Sequence, residues 1–176
     1  VALYGEAGIR WLVTDEGILE RSLGRALRQG ETTDPGLYRP WRLADGGPLL
    51  LFRDRWLSDE IGFVCGHWDD ERRAAAHLVG HLTGLARALR EDATIVIALD
   101  GENPWLHYPD AGATFLAEVL GRLEEVGPEL RPATLSEVAE RVAPATLPTL
   151  HPGSWIGGIF ATWIGHPEKT GAWKVL

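Results

Sequence analysis

The sequence predicts an α/β protein in which parallel strands alternate with amphipathic helices. Three observations favour this fold class. The apolar run at residues 95–99 has the composition of a strand buried on both faces. A shorter run at 9–13 is followed at once by a helical pattern, and a longer helical pattern precedes the apolar run. We expect residues 1–176 to form a single domain, because this length supports one hydrophobic core.

In the first third of the chain, the sequence pattern predicts a helix and then a pair of strands after the strand at 9–13. Apolar spacing predicts a helix over 18–28. Its buried side carries Ile18, Leu19, Leu23 and Leu27. Residues 30–36 are rich in Thr, Asp, Pro and Gly and are predicted to form a loop. Strands at 38–43 and 48–53 flank the turn Asp45-Gly46-Gly47.

A long amphipathic helix is predicted in the middle of the chain. Asp69 or Asp70 can cap its first turn, and the pattern continues to about Arg90. Its buried stripe consists of Ala74, Leu78, Leu82, Leu85 and Leu89. The predicted buried strand at 95–99 follows this helix, which is the order expected of an α/β fold.

The last third predicts two helices and a long loop. Asp110 can cap a helix over 113–126, and a capping-box pattern, Thr-Leu-Ser-Glu, begins a short helix over 134–142. The inward side of the first of these helices carries Phe115, Leu116, Val119, Leu120 and Leu123. Residues 144–176 are predicted to be an aromatic loop, and long loops in compact domains are usually functional. The loop carries Trp155, Trp163 and Trp173.

Composition and charge exclude several classes of protein. The net charge of −8 argues against a nucleic-acid partner, because phosphate binding needs a basic surface. No apolar run approaches the ~18 residues that span a bilayer, so no membrane partner is expected. Cys65 is the single cysteine and is expected to be buried, without a disulfide. Val1 is not a start residue, so we expect a fragment or an incomplete gene product. Separately, a cytoplasmic location is favoured.

Acidic residues follow two of the predicted strands. Asp15 and Glu16 come after the strand at 9–13, and Asp100 directly follows the strand at 95–99. Because the carboxyl ends of parallel strands meet at one edge, we expect these acids to face one cleft. Two facing carboxylates cleave glycosidic bonds, one as nucleophile or charge stabiliser and the other as general acid and base. The pair alone is a weak signal, since Asp100 can instead cap the next helix.

Further candidate residues lie near these acids. Arg53 and Asp54 follow the strand at 48–53, where an Arg can orient a carboxylate or hold a sugar hydroxyl. With Arg55 and Asp59 these residues form a dense set of charges, and a surface salt-bridge cluster is the alternative interpretation. In the aromatic loop, Trp155 is expected to line the cleft, whereas Trp163 is expected to lie in the core.

Five sequence stretches carry a family resemblance. They are GIRWLVTDEGIL (8–19), YRPWRL (38–43), LFRDRWLSDEIGF (51–63), ALDGENPWLHYPDAGATFL (98–116) and LPTLHPGSWIGGIFATWIGHPEKTGAW (147–173). Together they resemble glycoside hydrolase family 57, and most closely its α-amylase and amylopullulanase branch. The resemblance implies a portion of an incomplete, TIM-barrel-like (β/α)7 barrel that leads to a helical region. The family's N-terminal His-Gln-Pro stretch has no counterpart, so the missing half of the barrel is expected in the same polypeptide or as a partner.

The resemblance implies a retaining glycosidase with two catalytic carboxylates and no cofactor. The nucleophile of the family maps to Glu16 and the acid/base maps to Asp100. The implied substrate is an α-glucan: starch, glycogen, malto-oligosaccharides or pullulan. The expected substrate contacts are Asp15, Arg53, Asp54, Glu102, Trp105, His151 and Trp155. A 4-α-glucanotransferase or branching activity on the same fold, and a non-catalytic carbohydrate-binding remnant, are the alternatives.

A metal site is a weaker interpretation of the histidines. His77 and His81 have the i, i+4 spacing of a helical metal pair, but no Glu occupies the position that His-Glu-x-x-His requires. They are therefore expected to be solvent-facing or core-edge histidines, and no metal ligand is assigned. An α-mannosidase-like or deacetylase-like metal enzyme on a related barrel is also disfavoured, because no acid–histidine ligand cluster is recognisable.

Overall fold

The chain forms an α/β structure, and the computed structural model describes residues 1–89 and 92–175. From the N-terminus its elements are α1 (Ala2–Glu6), β1 (Trp11–Asp15), α2 (Glu16–Leu23), β2 (Arg28–Gln29), β3 (Thr32–Thr33), β4 (Trp41–Leu43), β5 (Gly46–Arg53), α3 (Arg55–Phe63), α4 (Glu71–Ala88), α5 (Ala113–Val126), α6 (Leu135–Arg141), β6 (Ala145–Leu147) and α7 (Pro167–Val175). Short 3-10 turns lie at Pro35–Tyr38, Cys65–His67 and Asn103–His107. The chain divides into two units: Val1–Arg53 with Ala143–Leu176, and Asp54–Val142.

A four-stranded sheet of order β1-β5-β4-β6 lies at the centre of the first unit. β1 pairs with β5 in parallel, and Asp15 lies opposite Arg53 at the carboxyl ends of the two strands. β4 runs antiparallel to β5, whereas β6 is parallel to β4. Leu49, Leu50, Leu51 and Phe52 of β5 are all buried. This burial on both faces of β5 explains why its central run is uniformly apolar.

The predicted elements of the first unit are present with shifted ends. The strand expected at 9–13 is β1, which begins and ends two residues later. The helix expected over 18–28 is α2, which ends early because Gly24 adopts the left-handed conformation of a helix C-cap, with φ 66°. Arg28 therefore lies in the β2–β3 hairpin and not in a helix. The strand predicted at 38–43 is reduced to β4, because a 3-10 turn precedes it.

Packed helices form the second unit. Asp70 caps α4 as expected, and its Oδ1 accepts hydrogen bonds from the backbone N–H groups of Arg72 and Arg73 at 2.9 and 3.2 Å. The helix is described to Ala88, and Arg90 lies outside the described residues. The core cluster contains Leu57, Ile61, Cys65, Ala74, Ala75, Leu78, Val79, Leu82, Tyr108, Phe115 and Val119. Within the described chain, no helix has the length and apolar character needed to cross a bilayer.

Helices α5 and α6 confirm most of the capping predictions. Asp110 accepts a hydrogen bond from the backbone N–H of Thr114 at 2.9 Å, although the N-cap of α5 is Gly112. Thr134 and Glu137 form the capping box of α6. The prediction that Leu116 and Leu120 face inward is wrong, since both are exposed. The core-facing stripe of α5 is narrower, with Phe115 and Val119 buried.

The buried strand predicted at 95–99 is wrong. In the described residues, this segment belongs to neither sheet and has irregular backbone. Val96 is buried and accepts a hydrogen bond from the backbone N–H of Asp54 at 2.8 Å, whereas Ile95 and Ile97 are partly buried against the core of the second unit. An apolar run predicts burial, but a parallel strand also needs a neighbouring strand whose backbone N–H and C=O groups pair with its own.

The predicted loop at 144–176 contains two regular elements. β6 adds to the sheet beside β4, and α7 begins at Pro167, a residue that is favoured at the first helical position. Trp173 belongs to α7. Trp155 and Trp163 lie in the turns between the two elements. The expectation that Trp163 is a core residue is wrong, because its side chain is 41% exposed.

Candidate active site

The junction between β1 and α2 places two carboxylates at the start of a helix. Asp15 is the N-cap of α2, and its Oδ1 accepts a hydrogen bond from the backbone N–H of Gly17 at 2.9 Å. Glu16 occupies the first turn, where the helix dipole favours negative charge. Asp15 and Glu16 are only 0% and 3% exposed. Two buried carboxylates are costly unless each is paired, so their partners define this site.

Two arginines compensate these buried charges. The Nε of Arg53 donates to Oδ2 of Asp15 at 2.8 Å. Arg28 binds Glu16 in a fork, with Nε donating to Oε1 at 3.0 Å and Nη2 donating to Oε2 at 2.8 Å. The Nη1 of Arg28 also donates to Oγ1 of Thr33 at 2.8 Å. These bonds hold the Glu16 carboxylate in one orientation.

Trp155 connects this buried network to an exposed aromatic surface. The guanidinium carbon of Arg53 lies 5.0 Å from the centroid of the Trp155 ring, which is a cation–π contact. The residue is 42% exposed. Because Arg53 also binds Asp15, the ring is tied to the carboxylate pair through one side chain. An exposed, positioned indole is the kind of surface on which a sugar ring can stack.

The loop that carries Trp155 is anchored to α2. The backbone N–H of His151 donates to Oγ of Ser22 at 2.9 Å. A Cβ on Gly153 would lie 2.3 Å from the backbone oxygen of Gly158, so only glycine permits this close approach. His151 is thus held near α2 by its backbone, and the two glycines fold the loop back beside it.

Asp54 is buried, 2% exposed, and begins the second unit as the N-cap of α3. Its Oδ1 accepts a hydrogen bond from the backbone N–H of Leu57 at 3.1 Å. The Arg53 side chain is also largely buried, so the surface salt-bridge interpretation does not hold for Arg53 and Asp54. The structure accounts for Asp54 by helix capping, and its predicted contact with substrate stays a prediction.

The other predicted site residues of the second unit lie at or near its surface. Asp100 is exposed, and its Oδ2 accepts a hydrogen bond from Nδ2 of Asn103 at 3.0 Å. Glu102 is exposed at the start of the following 3-10 turn. Trp105 is half-buried and packs against Gly112, where a Cβ would lie 2.4 Å from the ring. Glu16 belongs to the first unit, so its pairing with Asp100 stays a prediction.

Sequence patterns did not predict that Arg28 binds the Glu16 carboxylate. The predicted helix over 18–28 placed this arginine at a helix end, where it had no reason to contact the carboxylates. The signal that could have found it is Gly30, which has φ 60° in the tight turn of the β2–β3 hairpin. A glycine in a two-residue turn between short polar strands is a hairpin pattern.

Metal-ligating atoms are grouped elsewhere, in the second unit. Glu60, His77 and His81 offer ligand atoms that all lie within 4.8 Å of one another. Asp15 and Glu16, in contrast, are already compensated by arginine guanidinium groups. The carboxylate pair of the first unit is therefore less suited to holding a cation than the Glu60–His77–His81 group is.

Comparison with known proteins identifies the family to which the chain belongs. The sequence model of glycosyl hydrolase family 57 matches residues 1–151, and no curated protein sequence matched the chain. Among solved structures, the chain is similar to a GH57-type branching enzyme from Pyrococcus horikoshii, with a TM-score of 0.73 and 16% identity. That match covers 99% of this chain and 38% of the branching enzyme, so the α/β fold corresponds to a portion of the family's barrel. The chain belongs to glycosyl hydrolase family 57.

Proposed function

We propose that this chain is part of a retaining glycosidase acting on α-glucans, with Glu16 as the nucleophile and Asp100 as the acid/base. The observation that carries the proposal is the Glu16 carboxylate, which is buried at a strand–helix junction and held by a two-bond fork from Arg28. Membership of family 57 supports the same assignment. The other catalytic-domain elements would come from the rest of the barrel, in the same polypeptide or as a partner, and we favour a cytoplasmic location.

The proposed reaction has two displacements. In the first, an oxygen of Glu16 attacks the anomeric carbon while Asp100 donates its proton to the departing glycosidic oxygen. In the second, Asp100 takes a proton from water, and the oxygen of that water displaces Glu16 from the glycosyl ester. A carboxylate oxygen has more than one lone pair, so Glu16 can attack while it still accepts the hydrogen bonds of Arg28.

The aromatic loop would supply substrate contacts beside Glu16. Trp155 offers an exposed indole against which one face of a glucose ring can pack, and Arg53 fixes that indole by its cation–π contact. The anchored loop places His151 within the same unit, where its ring can contact sugar hydroxyls. We propose Asp15 as the group that orients Arg53 in this arrangement.

A second candidate is transfer of the glycosyl group to a sugar hydroxyl in place of water. The similar solved structure is described as a branching enzyme, which favours a transferase reaction of this kind. Both reactions use the same glycosyl ester and differ only in the acceptor of the second step. Product analysis separates them, because hydrolysis yields only shorter oligosaccharides, whereas transfer also yields longer or branched ones.

The test is cleavage of maltoheptaose by the protein and by charge-neutralised variants. Glu16→Gln should abolish turnover, because an amide cannot form the glycosyl ester. Asp100→Asn should be nearly inactive on maltoheptaose and recover partly on aryl glycosides, whose leaving groups need no proton. Glu31→Gln and Asp45→Asn, in turns of the first unit, are the matched controls. Full activity of either catalytic variant would overturn the assignment.

A further inference from the structure

Two histidines of α4 surround one carboxylate of α3 within the second unit. Oε1 of Glu60 lies 3.0 Å from Nε2 of His77, and Oε2 lies 3.1 Å from Nδ1 of His81. The two imidazole centroids are 4.2 Å apart. One turn of α4 separates the histidines, and their rings point to the same side of the helix because residues at i and i+4 share a face.

The Glu60 carboxylate is not satisfied by hydrogen bonds alone. Its Oε1 is buried and has no hydrogen-bond partner, although the Nε2 of His77 is only 3.0 Å away. The nitrogen and oxygen are close without the alignment of a hydrogen bond. A buried carboxylate oxygen without a partner is unfavourable, and a cation shared with the facing nitrogen would relieve this cost.

We propose that Glu60, His77 and His81 bind a divalent transition-metal ion of the Zn²⁺ class. Two imidazoles and one carboxylate are a ligand set that Zn²⁺ accepts, and they leave a fourth position for water. Bonds of about 2.0–2.1 Å in a tetrahedron hold ligand atoms about 3.3 Å apart. Oε1 and Oε2 of Glu60 lie 3.0 and 3.1 Å from the two imidazole nitrogens, and the three ligand atoms all lie within 4.8 Å of one another, so small side-chain movements bring them to these separations.

The cluster is both accessible and supported from one side. The side chain of His81 is 53% exposed, so an ion can reach the site and the ring can move outward to admit it. Trp68 packs against His77, with ring centroids 5.1 Å apart, and this contact restrains the imidazole. The site would join α3 to α4, and it lies on residues that the glycosidase assignment does not use.

Sequence spacing alone could not find this site. His77 and His81 are recognisable as a helical pair, but Glu60 precedes His77 by 17 positions and belongs to another helix. The packing of α3 on α4 brings the third ligand to the pair. The His-Glu-x-x-His pattern identifies a helical histidine pair only with its own Glu, which serves as general base, whereas here the third possible ligand comes from a different helix.

Isothermal titration calorimetry with Zn²⁺ on the protein, prepared without a polyhistidine tag, tests the proposal. We expect one equivalent to bind. Glu60→Gln and His81→Gln should each weaken binding by at least about 100-fold, because even loss of an outer-shell partner costs about 10–100-fold. A rise in melting temperature with Zn²⁺ should accompany binding and disappear in both variants.

A second histidine pair on the same unit provides the matched control. His67 and His107 have ring centroids 4.4 Å apart and are both exposed. His67→Gln should leave Zn²⁺ affinity unchanged. The proposal is overturned if the protein binds no Zn²⁺, or if His67→Gln weakens binding as much as His81→Gln does. Because His81 is a surface residue, its variant keeps the test decisive even if Glu60→Gln fails to fold.

Discussion

Arg28 holds the Glu16 carboxylate by two hydrogen bonds, one to each oxygen, at 3.0 and 2.8 Å. Both side chains are largely buried, with 13% and 4% of their surface exposed. The pair joins the start of α2 to the β2–β3 hairpin, two elements that follow each other closely in the chain. A short segment of sequence therefore contains both the proposed nucleophile and the cation that orients it.

Removal of Arg28 should destabilise the fold. Arg28→Ala removes the guanidinium that binds both oxygens of the buried Glu16 carboxylate, and we expect a loss of about 3 kcal/mol in the free energy of unfolding. Urea denaturation measures this loss. Arg25→Ala is the matched control, because Arg25 pairs with Asp34 at an exposed site and should cost less than about 1 kcal/mol. Equal losses in the two variants would show that the Glu16–Arg28 pair has no special role.

Trp155 should contribute to the binding of malto-oligosaccharides. Trp155→Ala is expected to weaken binding by roughly 1–3 kcal/mol, the scale for loss of a large apolar contact. Trp163→Ala is the control, since Trp163 lies in the same turn region and is equally exposed, 41% against 42%. Titration calorimetry with maltoheptaose compares the two. Weak effects on binding with a large drop in melting temperature would make Trp155 a packing residue.

Gly153 should be essential to the position of the aromatic loop. Gly153→Ala introduces a Cβ that would lie 2.3 Å from the oxygen of Gly158, so the loop must move. We expect weaker oligosaccharide binding, because Trp155 would move with it. Gly171→Ala in α7 is the control, since its Cβ meets nothing within 4 Å. Unchanged binding by Gly153→Ala would separate the loop from substrate recognition.

Cys65 should be unreactive in the folded protein. Burial raises the pKa of its thiol to about 11, with a smaller contribution from the charge of Glu60. The thiolate is the reactive form, so at pH 8 labelling by iodoacetamide should be slow and should accelerate on unfolding. A rate that is the same in native and urea-unfolded protein would contradict the buried position. Mass spectrometry of the labelled chain gives both rates.

Helix caps could be predicted from the sequence, whereas strand pairing and the contact between Arg28 and Glu16 could not. The Thr134 capping box and the Asp70 cap at the start of α4 follow from short patterns whose physics is contained in a few residues. The apolar run at 95–99 misled because apolar composition predicts burial and not the partner strand. The position of Arg28 depends on the β2–β3 hairpin, and the sequence pattern around Gly30 was interpreted as a loop and not as a hairpin turn.

Trapping the nucleophile tests the role of Glu16 most directly. A 5-fluoro-α-glucosyl fluoride forms a long-lived glycosyl ester with the nucleophile of a retaining enzyme, and peptide mass spectrometry locates the ester. We expect an adduct on Glu16 that is absent from Glu16→Gln and retained in Glu31→Gln. An adduct on any other carboxylate, or turnover of the reagent with no adduct on Glu16, would contradict this role.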